Sequence, residues 1–179
     1  MTVLSLCDHS GTWSKPYRDA GYDVVQVDLQ DGQDVRLFRA LPFPVRGVLA
    51  APPCTEFARS GARWWPEKGE QALLDALAIV DACLRIVAVH SPVWWVLENP
   101  VGRLRHYLGA PCMSFDPCDY GDGYTKRTQL WGRFQKPLMA KVPVTEPNRI
   151  HFAAPGPQRT MFRSMTPPGF ACAFFEANP

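Results

Sequence analysis

Four short apolar segments recur along the first half of the chain, and each runs into polar residues or a chain breaker. Val3–Leu6 leads into Cys7-Asp8-His9-Ser10-Gly11-Thr12, and Val24–Val27 ends at Asp28. Gly47–Ala50 leads into Pro52-Pro53-Cys54, and Val93–Leu97 ends at Glu98-Asn99-Pro100. Helical patterns lie between these segments. Ser14–Ala20 reads as a short helix stopped by Gly21. From about Glu67 to Val89, the residues Leu73, Leu74, Leu77, Val80, Leu84 and Val87 recur at helical spacing. Strands alternating with helices predict an α/β chain whose mostly parallel sheet is flanked by helices. Such folds bind ligands at the carboxyl ends of their strands. The polar residues fall at those ends here.

The second half is different. From about Gly109 it is rich in Pro, Gly and aromatics. Thr128–Trp131 and Leu138–Val144 read as short strands, and Pro168–Ala177 as a closing helix. With 179 residues, a single domain over 1–179 is expected. The N-terminus reads as a buried strand and not as a signal peptide, which predicts a soluble, cytoplasmic protein with no membrane association. The six cysteines lack the close spacing of a disulfide framework, so reduced thiols are expected. Cys112 and Cys118, with His106 nearby, match no common zinc spacing, and no metal is expected. The net charge is only +2, but it is unevenly spread. Between Tyr124 and Met165, eight basic residues are opposed by Glu146 alone and interleave with Trp131, Phe134, Phe152 and Phe162. That pattern suits a polyanion with stackable bases, and equally a solvated irregular surface.

Two sites carry chemistry. The prolines before Cys54 stop sheet pairing and stiffen the loop that presents the thiol. A thiol becomes a nucleophile where neighbours favour its thiolate, and Arg59 and Arg63 lie close in sequence. From these residues alone, a nucleophile and a buried turn cysteine are both open. Glu98 ends a strongly apolar strand, where desolvation favours the protonated carboxyl. Such a group can activate a pyrimidine by hydrogen bonding to its edge, or simply brace a loop. Trp94 and Trp95 read as core, while Trp64 and Trp65 suit either base stacking or a loop anchor.

The order is a glycine turn after the first strand, an acid after the second, Pro-Pro-Cys after a later strand and Glu-Asn after the next. It resembles the DNA cytosine-C5 methyltransferase family. Ala50–Phe57, Tyr124–Gly132 and Arg163–Phe170 are similar to short phage- and prophage-associated members. The resemblance implies a Rossmann-like class I fold dependent on S-adenosylmethionine, with a truncated C-terminal region. It implies that Cys54 attacks C6 of a flipped cytosine, that Glu98 holds N3 and the exocyclic amine, and that Asn99 braces the nucleophile loop. Arg127, with Lys126, matches the basic motif that supports the base and its backbone. Arg59, Arg63 and Arg133 complete the expected nucleic-acid contacts. The cofactor contacts implied are Cys7, Asp8, Gly11, Thr12, Trp13, Asp28, Asp34, Val35 and Pro52, with Asp28 on the ribose hydroxyls.

The chain also departs from the family. Ser5 stands where the acid of the cofactor turn is expected, Cys7 where Phe is expected, and His9 replaces the first glycine. Only residues 134–163 remain to serve as a target-recognition region. A short recognition sequence, a separate recognition subunit or a homo-oligomer is therefore expected. C5 modification of cytosine in RNA or a free nucleotide, and nucleic-acid binding without catalysis, are the alternatives.

Overall fold

The computed structural model describes residues 1–147, 149 and 163–179. Six strands form the sheet: β1 (Thr2–Leu6), β2 (Asp23–Val27), β3 (Val45–Ala50), β4 (Trp94–Pro100), β5 (Met113–Phe115) and β6 (Thr128–Arg133). The helices are α1 (Lys15–Asp19), α2 (Trp65–His90), α3 (Arg105–Leu108) and α4 (Pro168–Ala177). The strand order is β2-β1-β3-β4-β6-β5. β2, β1, β3 and β4 pair in parallel, whereas β6 runs antiparallel to both β4 and β5. The sheet is therefore mixed, which corrects the mostly parallel arrangement read from the first half. A parallel return needs a long crossover, usually helical. The stretch between β5 and β6 offers only a 3-10 turn at Pro117–Asp119.

Period-two alternation sends neighbouring strand residues to opposite faces. Leu4, Leu6, Val48, Ala50 and Leu97 meet Ala76, Val80, Cys83 and Ile86 of α2. Val3, Leu49, Trp94, Val96 and Leu130 meet an aromatic layer on the other face. Trp13, Tyr17, Phe170 and Phe174 build that layer, with Phe170 stacked on Phe115 at 3.9 Å between centroids. The Tyr17 hydroxyl donates to the Asn178 carbonyl at 2.9 Å, tying α1 to the end of α4. Phe170 is fully buried. Phe170→Ala is expected to cost about 3–5 kcal/mol in urea unfolding, because it leaves a cavity in a close-packed layer.

Helix boundaries lie within two residues of those read from the sequence, with one irregularity. Gly69 breaks α2 near its start with φ 75° and ψ −179°. Leu138–Val144 is not a strand. Ala140 makes an isolated bridge with Tyr120, Leu138 is 89% exposed, and Pro143 cannot donate to a ladder. Of the basic segment 134–163, Phe152, Arg159 and Phe162 lie outside the described residues. Among the described residues no helix is long and apolar enough to cross a membrane.

After β1 the chain places β2 on one side and β3 on the other. This reversal opens a crevice at the carboxyl ends of β1 and β3, where open α/β sheets bind ligands. The Cys7–Gly11 turn and the Pro52–Cys54 loop border it.

Candidate active site

Cys54 sits on a loop built to hold one shape. The Ala51 N–H continues the sheet by donating to the Leu6 carbonyl at 2.9 Å, and then the two prolines end the pairing. The Cys54 carbonyl accepts from the Phe57 and Ala58 N–H groups at 2.9 and 2.8 Å, which closes a turn behind the thiol. Phe57 is fully buried and anchors that turn. The segment after β4 clasps it: Arg59 N–H donates to the Val101 carbonyl, and Arg103 N–H to the Phe57 carbonyl, both at 2.9 Å. Only glycine permits this approach, because a Cβ on Gly102 would lie 1.8 Å from the Phe57 carbonyl oxygen. Asn99 adds a third tie, donating from Nδ2 to the Pro52 carbonyl at 3.0 Å. The loop with the thiol and the strand with the acid are thus locked together.

Glu98 is 6% exposed. Burial pushes its carboxyl above the usual range; Lys126 opposes that push and Asp8 adds to it. Burial also raises the Cys54 thiol, and the charge of Glu98 raises it further, while Lys126 and Arg163 lower it. Cys54, Glu98, Lys126 and Arg163 therefore form one electrostatic group. Lys126 is held in place by its Nζ on the Met165 carbonyl at 3.2 Å and by its N–H on Asp116 at 3.1 Å. The sign of each neighbour can be tested. Glu98→Gln removes a charge that opposes ionisation, so alkylation of Cys54 by iodoacetamide should shift to lower pH. Lys126→Met removes a charge that favours it, so alkylation should shift to higher pH. Peptide mass spectrometry across a pH series reads both; no shift in either variant would break the coupling.

The structure gives Arg127 and Arg133 different surroundings from Lys126. Arg127 is exposed and pairs with Asp116 at 3.1 Å, while its neighbour Lys126 acts on the thiol and the carboxyl. Both residues precede β6 and bond Asp116, Lys126 through its backbone N–H and Arg127 through its guanidinium. Arg133 lies opposite Trp95, toward the amino end of β4, and donates to the Pro92 carbonyl at 2.6 Å. The antiparallel direction of β6 carries it to the far end of the sheet. Arg59 and Arg63 are exposed on the 3-10 turn Arg59–Trp64, beyond the nucleophile loop. The Arg63 guanidinium covers the exposed Trp64 ring at 4.8 Å. Trp65 is an anchor: the Arg103 guanidinium lies 4.2 Å over its ring and also donates to the Glu56 carbonyl.

The turn after β1 is organised by Asp8. Its carboxylate accepts from the hydroxyls of Ser5, Ser10 and Ser14 at 2.9, 3.0 and 3.3 Å. Burial raises the Asp8 carboxyl, and these hydroxyls offset part of the rise. Ser5, read as a departure, thus serves an acid placed three residues later. His9 keeps an ordinary backbone, whereas Cys7 (φ 57°) and Gly11 (φ 62°) are left-handed. Thr12 donates its N–H to Ser10 Oγ at 3.3 Å. Asp28, 8% exposed, accepts from the N–H groups of His9 and Gln30 at 3.1 and 2.8 Å. Asp34 is engaged by Arg36, which holds its carboxyl below the usual range. Trp13 and Val35, expected beside a cofactor, are 0% and 5% exposed within the hydrophobic clusters. Both pack into the core, and the Trp13 indole N–H is buried there without a partner among the described residues.

Residues without an assigned role in the sequence reading also meet here. Arg163 reaches the thiol's field from the segment before α4, and Arg103 secures the nucleophile loop. The run Arg163–Phe170 was the available signal for the first. His106, Cys112 and Cys118 do not converge. Among the described residues, the one trio of such ligand atoms within 4.8 Å of one another is His9, Asp28 and Asp31. A surface cavity of about 500 Å³ lies at the opposite end of the sheet, lined by Thr2, Asp23, Phe43 and Arg46, away from all of these groups.

No protein family matches the chain by sequence profile, and no curated protein matches its sequence. Its structure is similar to that of an E. coli prophage-encoded protein assigned as a DNA modification methyltransferase. The TM-score is 0.54 at 17% identity, over 87% of this chain and 55% of that one. The two chains share an α/β fold. This chain spans little more than half the length of the prophage protein.

Proposed function

We propose that this protein transfers a methyl group to C5 of cytosine in DNA through a transient bond between Cys54 and C6. The supporting observation is the pair at neighbouring strand ends. Cys54 follows β3, Glu98 closes β4, and the charge of Glu98 acts directly on the thiol. The residues also fit an adenosyl ligand. Asp28 closes β2, and its carboxylate keeps lone pairs for ribose hydroxyls beyond the two N–H groups it accepts. S-adenosylmethionine, when bound there, supplies the methyl group.

Cys54 gives its proton to water and its sulfur bonds to C6. Ring electrons move toward N3, where the protonated Glu98 carboxyl stabilises them. C5 becomes nucleophilic and takes the methyl group. Loss of the C5 proton to a base, a water in this reading, restores the C5–C6 double bond and expels Cys54. When Glu98 meets N3 as the neutral acid, the charge that raises the thiol disappears, so base binding and thiol ionisation favour each other. Lys126 and Arg163 stabilise the thiolate, and the exposed Arg59, Arg63 and Trp64 suit phosphates and an unstacked base. Residues 134–163, a partner subunit or a second copy of the chain would supply recognition of a short sequence.

The test is to incubate the protein and S-adenosylmethionine with duplex DNA, single-stranded DNA, RNA and dCMP. Mass spectrometry of the digests then identifies any 5-methylcytosine. DNA containing 5-fluorocytosine should trap a covalent Cys54 adduct, because fluorine at C5 blocks the elimination. Methylation of RNA or dCMP in place of DNA would move the substrate class. DNA binding with neither methylation nor trapping would favour a binding protein without catalysis.

A further inference from the structure

The turn after β1 is missing one expected glycine, yet two side chains hold it from behind. Arg18 of α1 donates from Nη2 to the Gly11 carbonyl at 2.7 Å and from Nη1 to Gln26 Oε1 at 3.0 Å. Gln26 of β2 donates from Nε2 to the His9 carbonyl at 3.1 Å. The fit is close: a Cβ on Gly11 would lie 2.3 Å from Arg18 Nη2. A trans peptide is planar, with its C=O and N–H pointing opposite ways, and no cis peptide occurs in the described residues. Holding the His9 and Gly11 carbonyls toward Arg18 and Gln26 therefore turns the Ser10 and Thr12 N–H groups to the other side of the loop. The Thr12 N–H meets Ser10 Oγ there, and that hydroxyl donates in turn to Asp8.

We propose that Arg18 and Gln26 are positioning residues for the adenosyl ligand. They hold the carbonyls of the turn away from it and leave the Ser10 N–H for an acceptor oxygen such as that of the ligand's carboxylate. Ser14 Oγ also donates to the Gly11 carbonyl, at 3.3 Å. This inference rests on the adenosyl site proposed above.

Calorimetric titration of S-adenosylhomocysteine into wild type, Arg18→Ala and Arg18→Lys tests it. Arg18→Ala should weaken binding at least about tenfold, a loss of one charge-assisted hydrogen-bond set. Its melting midpoint without ligand should stay close to wild type, because Arg18 is exposed. Millimolar guanidinium should restore part of the affinity in Arg18→Ala and leave wild type unchanged, and Arg18→Lys should fall between the two. Wild-type affinity in Arg18→Ala, or a loss that guanidinium does not touch, would overturn the proposal. If wild type itself binds no S-adenosylhomocysteine, the functional reading fails on its own account. Amide exchange then decides the clamp: residues 10–12 should exchange faster in Arg18→Ala, and equal exchange would refute it.

Discussion

Cys54→Ser should abolish formation of 5-methylcytosine while leaving the fold intact. Serine keeps the size of the side chain but exchanges an ionisable thiol for a hydroxyl that stays protonated at neutral pH. The surroundings already oppose ionisation of the thiol through burial and Glu98, with Lys126 and Arg163 as the counterweight. These cations cannot bring a hydroxyl into range. A rate loss of at least about 10³-fold is expected, equivalent to roughly 4 kcal/mol of barrier. Mass spectrometry of digested DNA reads it, with circular dichroism as the control for folding. Activity equal to wild type would eliminate covalent catalysis by this residue.

Glu98→Gln should separate activity from stability. The amide cannot give a proton toward N3, so methylation should fall by about 10²- to 10⁴-fold, the range of a positioned general acid. Stability should move the other way. The folded carboxyl is raised above its unfolded value by burial. Its favourable contribution is therefore full at pH below the unfolded value and is lost as pH rises through the folded one. Glutamine never ionises, so the variant should unfold at higher temperature than wild type near neutral pH, with the gap closing toward acid pH. Melting curves across that window check the sign. A variant less stable than wild type at neutral pH would mean that the ionised carboxylate is well satisfied in the fold.

The reacting pair was legible because its signals are local. An apolar strand followed by Pro-Pro-Cys, and another by Glu-Asn, place both groups at carboxyl ends without any tertiary information. The four parallel strands and α2 follow from the same periodicities. What escaped the sequence depends on pairing between distant segments. Nothing local says that β6 returns between β4 and β5, and that return decides which end of the sheet receives Arg133. The different surroundings of Lys126 and Arg127 depend on Met165 and Asp116, which are remote from them in sequence. Trp13 and Val35 carry no mark that separates a core position from a ligand wall. Leu138–Val144 has the apolar content of a strand, but Pro143 and the exposure of Leu138 leave it outside the sheet. Ser5 could not be placed from sequence either: its hydroxyl is one of three that donate to the Asp8 carboxylate.

The clasp at Gly102 has a wider consequence. The Cys54 loop and the end of β4 are joined by backbone meeting backbone, at Phe57 and Gly102, with side-chain ties from Asn99 and Arg103. Sequence drift in the surrounding loops therefore has few ways to pull the two groups apart. Changes in the outer loops can therefore leave the thiol and the carboxyl in register. Substitution at Gly102 is the one small change that closes this freedom.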